Sequence, residues 1–175
     1  VAPMKALIND QHERLCHICE RLEIPVYPWH GDIGDGPRKR FVAAPRGVVL
    51  ITPESLESLL FRKGSVLQSL FGKLEAVVVD ELHAFIDNER GRQLQSLLHR
   101  LEAALGCRVQ RVGLSATLGD MGLAADFLRL GEGGDVRMIV STAQPKALHL
   151  VLKGVLQACD DSGHGETAHA SIAAA

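Results

Sequence analysis

The sequence predicts an α/β fold in which a parallel sheet carries helices on both faces. Strand-length apolar runs such as Val48–Ile51 (VVLI) and Ala76–Val79 (AVVV) alternate with segments of helical period, and connections of that length return each strand parallel to the last. The polar clusters TPES, DELH and SAT each stand directly after an expected strand, where open parallel sheets bind their ligands.

The elements follow in order. After VAPMKAL an amphipathic helix is expected to about residue 22, with Leu7, Ile8, Leu15, Ile18, Cys19 and Leu22 as its apolar stripe. Residues 25–29 read as a short strand, and residues 30–36, rich in Gly, Asp and Pro, as a loop. VVLI runs straight into Thr52 and Pro53, an N-cap residue followed by Pro at the first helical position. The helix so started carries Leu56, Leu59 and Leu60. Residues 74–79 form the next strand, which ends in Asp80 and Glu81. Leu94, Leu97, Leu98, Leu101 and Leu105 recur at helical spacing, with Gly106 as the stop. Residues 108–114 make a strand running into SAT, Asp120 caps a helix that terminates at Gly131, and residues 136–140 are expected to add a further strand. Leu148, Leu150 and Leu152 alternate as in a final strand. From Cys159 no apolar period remains, so residues 1–158 are expected to form one domain and 159–175 a flexible tail or linker.

Composition narrows the class. At 175 residues, with 46% hydrophobic and 23% charged residues, the chain suits one globular domain. A net charge of -2 gives no global attraction to nucleic acid, so such binding must come from a local surface and backbone contacts. No run approaches the roughly 18 apolar residues of a membrane span, and no secretory signal opens the sequence, so a soluble, cytoplasmic protein without a membrane partner is expected. Cys16, Cys19, Cys107 and Cys159 are too scattered for a disulfide framework. Cys16 and Cys19 form a CxxC with His12 one turn earlier, but no fourth zinc ligand follows at suitable spacing, and Cys19 falls on the apolar stripe as a core residue.

The chemistry concentrates after the strands. In VVVDELH the carboxylates of Asp80 and Glu81 arrive at a strand tip, where one can hold magnesium through water and the other can orient an attacking water. A solvated acidic turn would look the same. In GLSAT, Ser115 and Thr117 bring short hydroxyls to the next strand end, where they can bond the acidic site or cap a helix.

Taken in order, PMKALINDQ, ITPESLESLL, VVVDELHAF with Arg90 and Gly91 after it, and QRVGLSATLGD resemble the motif series of superfamily 2 helicases of the DEAD/DEAH-box class, most nearly the Lhr-like (large helicase-related) group. The resemblance spans residues 1–144 and implies a fragment of the first RecA-like motor domain, working with ATP and Mg2+ on DNA or RNA through a single strand's backbone, beside a second RecA-like domain of the same parent. It implies that Asp80 acts on magnesium, Glu81 positions the hydrolytic water, and His83 links hydrolysis to movement. Ser115 and Thr117 would couple the ATP site to the nucleic-acid site. Pro3, Met4 and Lys5 correspond to motif Ia, Gly31 and Asp32 to the glycine motif, and Thr52, Pro53 and Glu54 to motif Ib, all facing a strand's backbone. For Thr52 the physics agrees, because a hydroxyl and free amides at a helix start bind phosphate without net charge.

One part of the pattern is missing. The family's GxxxxGK[ST] loop would lie upstream of PMKAL, and the one near miss, GDIGDGPR from Gly31 to Arg38, has Pro37 in place of the Lys. ATP hydrolysis is therefore expected of the intact parent and not of this segment alone. The alternative from another class is an ATPase-inactive module that binds nucleic acid or a partner. A metal-dependent hydrolase built on Asp80, Glu81 and His83 is disfavoured, because neighbours on one strand end do not converge on one ion.

Overall fold

Residues 1–62, 66–116 and 120–140 are described with their side chains in a computed structural model, together with the backbone of two later strands. Helix α1 spans Lys5–Glu20, β1 Val26–Trp29, α2 Asp35–Ala43, β2 Val48–Ile51, α3 Pro53–Arg62 and α4 Leu67–Phe71. They are followed by β3 at Ala76–Val79, α5 at Glu89–Leu105, β4 at Gln110–Gly113 and α6 at Met121–Leu128. The chain divides into two units, Val1–Met138 and Ile139–Ala175. In the second unit β5 (Val151–Ala158) and β6 (Glu166–Ala173) pair antiparallel, so a strand lies within the stretch after Cys159 that shows no apolar period.

The first unit is α/β with parallel strands. β1 pairs with β2 from Val26↔Val48 to Trp29↔Ile51, and β3 with β4 from Ala76↔Gln110 to Val79↔Gly113. The opening residues join the two pairs, since Ala2 N–H donates to Ile51 O at 3.1 Å and Asp80 N–H donates to Val1 O at 2.9 Å.

Alternation along the strands decides which helices cover which face. Tyr27 and Trp29, Ile51, and Val79 belong to one buried cluster with Phe41 of α2, Leu56, Leu59 and Leu60 of α3, the five leucines of α5, and Phe127 of α6. Helix α1 packs against β1 and β2 with Ile8 fully buried outside that cluster. Trp29, the sole Trp, meets Phe41 edge-on at 5.9 Å and is a packing residue. Cys19 is buried with Ile8 as expected, whereas Ile18 and Leu22 of the expected apolar stripe are exposed.

Most elements lie where periodicity places them, and the caps behave accordingly. Thr52 Oγ1 accepts from Ser55 N–H at 3.3 Å, Asp120 accepts from Gly122 N–H at 2.7 Å, and Gly106 ends α5 in the left-handed region at φ 66. Two expectations need correction. Part of the segment read as a loop, residues 30–36, is helical, because α2 begins at Asp35 and takes Pro37 into its first turn, where a missing N–H costs nothing. Residues 136–140 form no strand. A strand needs a neighbour for its hydrogen bonds, and among the described residues β4 pairs with β3 alone.

Helix α5, β4 and α6 are fastened by one carboxylate. Glu102 accepts from Val109 N–H at 3.0 Å, Arg111 Nη2 at 2.8 Å and Arg129 Nη1 at 3.0 Å, with only 13% of its side chain exposed. Burial pushes its carboxyl up, but the Val109 N–H and the two guanidinium groups outweigh this and hold it below the usual Glu value. A carboxyl depressed in the folded state adds stability above its unfolded pKa and loses it as pH falls through the folded one. Glu102→Gln should therefore cost about 3 kcal/mol at neutral pH, because it strands two guanidinium groups, and the deficit should shrink toward acid. Urea denaturation at pH 7 and pH 4 checks this, and an equal loss at both pH values would contradict it.

Candidate functional site

The residues singled out after the strands gather at one end of the sheet. β3 ends at Val79, and the chain then departs from regular geometry. Glu81 sits at φ 50, a left-handed conformation that strains a residue with a side chain, and a 3-10 turn follows over Leu82–Ala84. The departure is held on both sides. Leu114 N–H donates to Val79 O at 2.9 Å, and Leu82 N–H donates to Leu114 O at 2.8 Å. Gly113 permits this approach, since a Cβ there would lie 2.7 Å from Leu82 Cδ2.

DELH and the start of SAT are thereby in direct contact. His83 Nδ1 lies 3.0 Å from Ser115 Oγ and 3.4 Å from Glu81 Oε2. Asp80 is half-buried, its Oδ1 accepting from Glu81 N–H at 3.0 Å and its Oδ2 from Gln11 Nε2 at 3.3 Å. Asp80, Glu81, His83 and Ser115 thus form one cluster, while Thr117 lies outside the described residues. Gln11 has no signal in the sequence, because its partner is 69 residues away and it occupies an ordinary helical position.

Asp80 and Glu81 are the acidic groups here, and no group of three or more His, Cys, Asp or Glu side chains among the described residues could cage a metal. That donor set fits magnesium, which keeps most of its waters and is held by one or two carboxylates together with a substrate's phosphates.

The other candidates form two neighbouring groups. Lys5 Nζ, at the start of α1, donates to Asp32 Oδ1 at 2.8 Å, which holds that carboxyl below its usual value, and Gly31 lies beside the same ammonium. Both charges are exposed, whereas Pro3 is buried. The loop is seated by His30, 2% exposed, whose Nε2 lies 3.0 Å from Asn9 Oδ1 and whose carbonyl accepts from Arg38 Nη2 at 2.6 Å. In the second group Pro53 is buried and Thr52 is 4% exposed, its hydroxyl engaged with Ser55. Glu54 is exposed and accepts from Arg90 Nε at 2.7 Å. Burial raises its carboxyl, but its own backbone N–H and Arg90 bring it below the usual value.

The joined parallel strands, with a carboxylate pair at one strand end and a hydroxyl at the next, define a RecA-like helicase domain. Residues 1–123 match the family model of the DEAD/DEAH box helicase, and the chain belongs to that family. It is 35% identical over 147 residues to the Lhr helicase/uracil glycosylase of Escherichia coli (strain K12), covering 80% of this chain and 9% of that relative. It is 32% identical over 139 residues to the ATP-dependent helicase Lhr-Core of Methanothermobacter thermautotrophicus, covering 73% of this chain and 16% of the other. The structure of Mycobacterium smegmatis helicase Lhr bound to ssDNA and AMP-PNP superimposes with a TM-score of 0.61 at 34% identity, over 73% of this chain and 18% of that one. The chain thus spans between 9% and 18% of the length of these relatives.

The burial of Thr52 fixes what its hydroxyl does. Thr52→Val, which keeps the shape and removes the cap, should lower stability by about 1 kcal/mol, and Thr52→Ser should not. Thermal melts of the two variants check this, and a Val variant as stable as the Ser variant would show that the cap is idle.

Proposed function

We propose that this chain is part of the first motor domain of an ATP-dependent helicase or translocase that acts on a single strand of nucleic acid. The contact between His83 and Ser115 carries the reading, because it joins the acidic pair after β3 to the hydroxyl after β4 in one cluster. An isolated acidic turn would need no such partner.

Placement supports each role. Asp80 would take Mg2+ through water on the part of its carboxylate that Gln11 and Glu81 N–H leave open. Glu81, its backbone turned to φ 50, would orient the water that attacks the terminal phosphate. Bound magnesium would neutralise charge on the phosphates. His83 would pass the state of the site to Ser115 and to a second RecA-like domain of the parent. The Lys5, Gly31 and Asp32 loop and the start of α3 would meet the strand's backbone. DNA is favoured over RNA because the Mycobacterium smegmatis relative was captured on ssDNA. Thr52 is buried and its hydroxyl is engaged with Ser55, so that hydroxyl is not a free group for a phosphate.

Glu81→Gln in the parent protein should lower ATP turnover at least about 100-fold with ATP binding retained, because the shape stays and the water-orienting carboxylate goes. Single-turnover hydrolysis beside nucleotide binding tests this, and turnover at the wild-type rate would remove Glu81 from the reaction.

His83→Ala should reduce nucleic-acid-stimulated turnover more than basal turnover, since its contacts run to Ser115 as well as to Glu81. Rates measured with and without a single-stranded oligonucleotide decide it, and a proportional fall in both would argue for a role in chemistry instead.

A further inference from the structure

Glu54 poses a problem on a face meant for phosphates. A free carboxylate at the start of α3 would repel a phosphate backbone approaching that face. Arg90 resolves it. Its Nε and Nη2 both lie 2.7 Å from Glu54 Oε1, and its guanidinium is stacked 5.8 Å over the Phe85 ring.

We propose that Arg90 is a positioning residue that couples the acidic pair to the nucleic-acid face, by neutralising Glu54 and holding the start of α3 in register with the DELH segment. This rests on the reading of the parent as a nucleic-acid-stimulated ATPase.

The segment from Asp80 to Arg90 is short and tightly fixed. Leu82 is 2% exposed and Phe85 fully buried. Phe85 N–H donates to Leu82 O at 2.9 Å, and Asn88 Nδ2 donates to Ala84 O at 2.9 Å while its Oδ1 accepts from Gly91 N–H at 2.8 Å. Gly91 fits because a Cβ there would lie 1.7 Å from Phe85 O. A shift at Glu81 therefore reaches Arg90 with little slack, and Arg90 meets α3 at the turn after Thr52. The pair is also a poor stabilising device, since ion pairs this exposed contribute little to folding. That separates coupling from support.

The test uses the parent protein carrying Arg90→Met, which keeps an apolar stem over Phe85 and removes the charge. The readouts are ATP turnover with and without a single-stranded DNA oligonucleotide, affinity for the labelled oligonucleotide, and the melting temperature. Basal turnover should stay within about twofold, while stimulated turnover and affinity fall about tenfold, within the usual range of couplings between sites. Arg90→Lys, which restores the charge on a single donor nitrogen, should recover part of both. Unaltered stimulation and affinity would overturn the proposal, and so would basal rate, stimulated rate and melting temperature all falling together. A wild-type parent showing no stimulation would overturn the helicase reading, and this proposal with it. A stimulated wild type with an unaffected Arg90→Met variant overturns this proposal alone.

Discussion

Leu114 makes the two backbone hydrogen bonds on which the site depends. Its N–H takes the carbonyl that ends β3, and its own carbonyl takes Leu82 N–H from the turn beyond Glu81. Together with Ala84 N–H donating to Glu81 O at 2.8 Å, the second bond opposes relaxation of Glu81 from φ 50, a strain worth on the order of 1 to 3 kcal/mol that persists only where the surroundings impose it. The clamp works because Leu82 is 2% exposed, so the turn is pulled inward by its side chain and backbone together. His83 is left facing outward, within reach of Ser115. One pair of bonds thus keeps the acidic pair and the hydroxyl loop in a single cluster.

Charge on the neighbouring face follows a different economy. The chain as a whole is slightly acidic, and the cations best placed to meet a phosphate are each paired, Lys5 with Asp32 and Arg90 with Glu54. Pairs this exposed add little to stability, so their effect lies in where they hold the side chains. On the proposed function, a strand arriving at this face would compete with Asp32 for an ammonium already in position.

Much of the fold was legible in local signals. Thr52 and Pro53 marked the start of α3, the five leucines marked α5, and Gly106 marked its end, because caps and helical period are properties of consecutive residues. Helix α2 was hidden, since its first turn holds Gly36 and Pro37, residues that as readily begin a loop. The missing strand at residues 136–140 failed for the opposite reason: its apolar run looks right, but a strand exists only beside a partner. The candidate site divided along the same line. Asp80, Glu81, His83 and Ser115 could be picked out by following a strand, whereas Gln11 and the partner of Arg90 could not, because contacts across 69 and 36 residues leave no local trace.

Those long contacts also bear on how α1 relates to the acidic pair. Lys5 and Gln11 lie on the same helix, the first paired with Asp32 at the face proposed for nucleic acid and the second bonded to Asp80. An α-helix of 16 residues is stiff over that distance, and α1 is seated by Ile8, which is fully buried between the two positions. A movement of the loop holding Asp32 would therefore be felt at Asp80 through α1, as a movement of α3 would be felt at Glu81 through Arg90 and Phe85. Both routes end on the carboxylate pair from opposite directions, and Leu114 holds the backbone between them. The two faces are tied by side chains that the strand-end motifs do not contain.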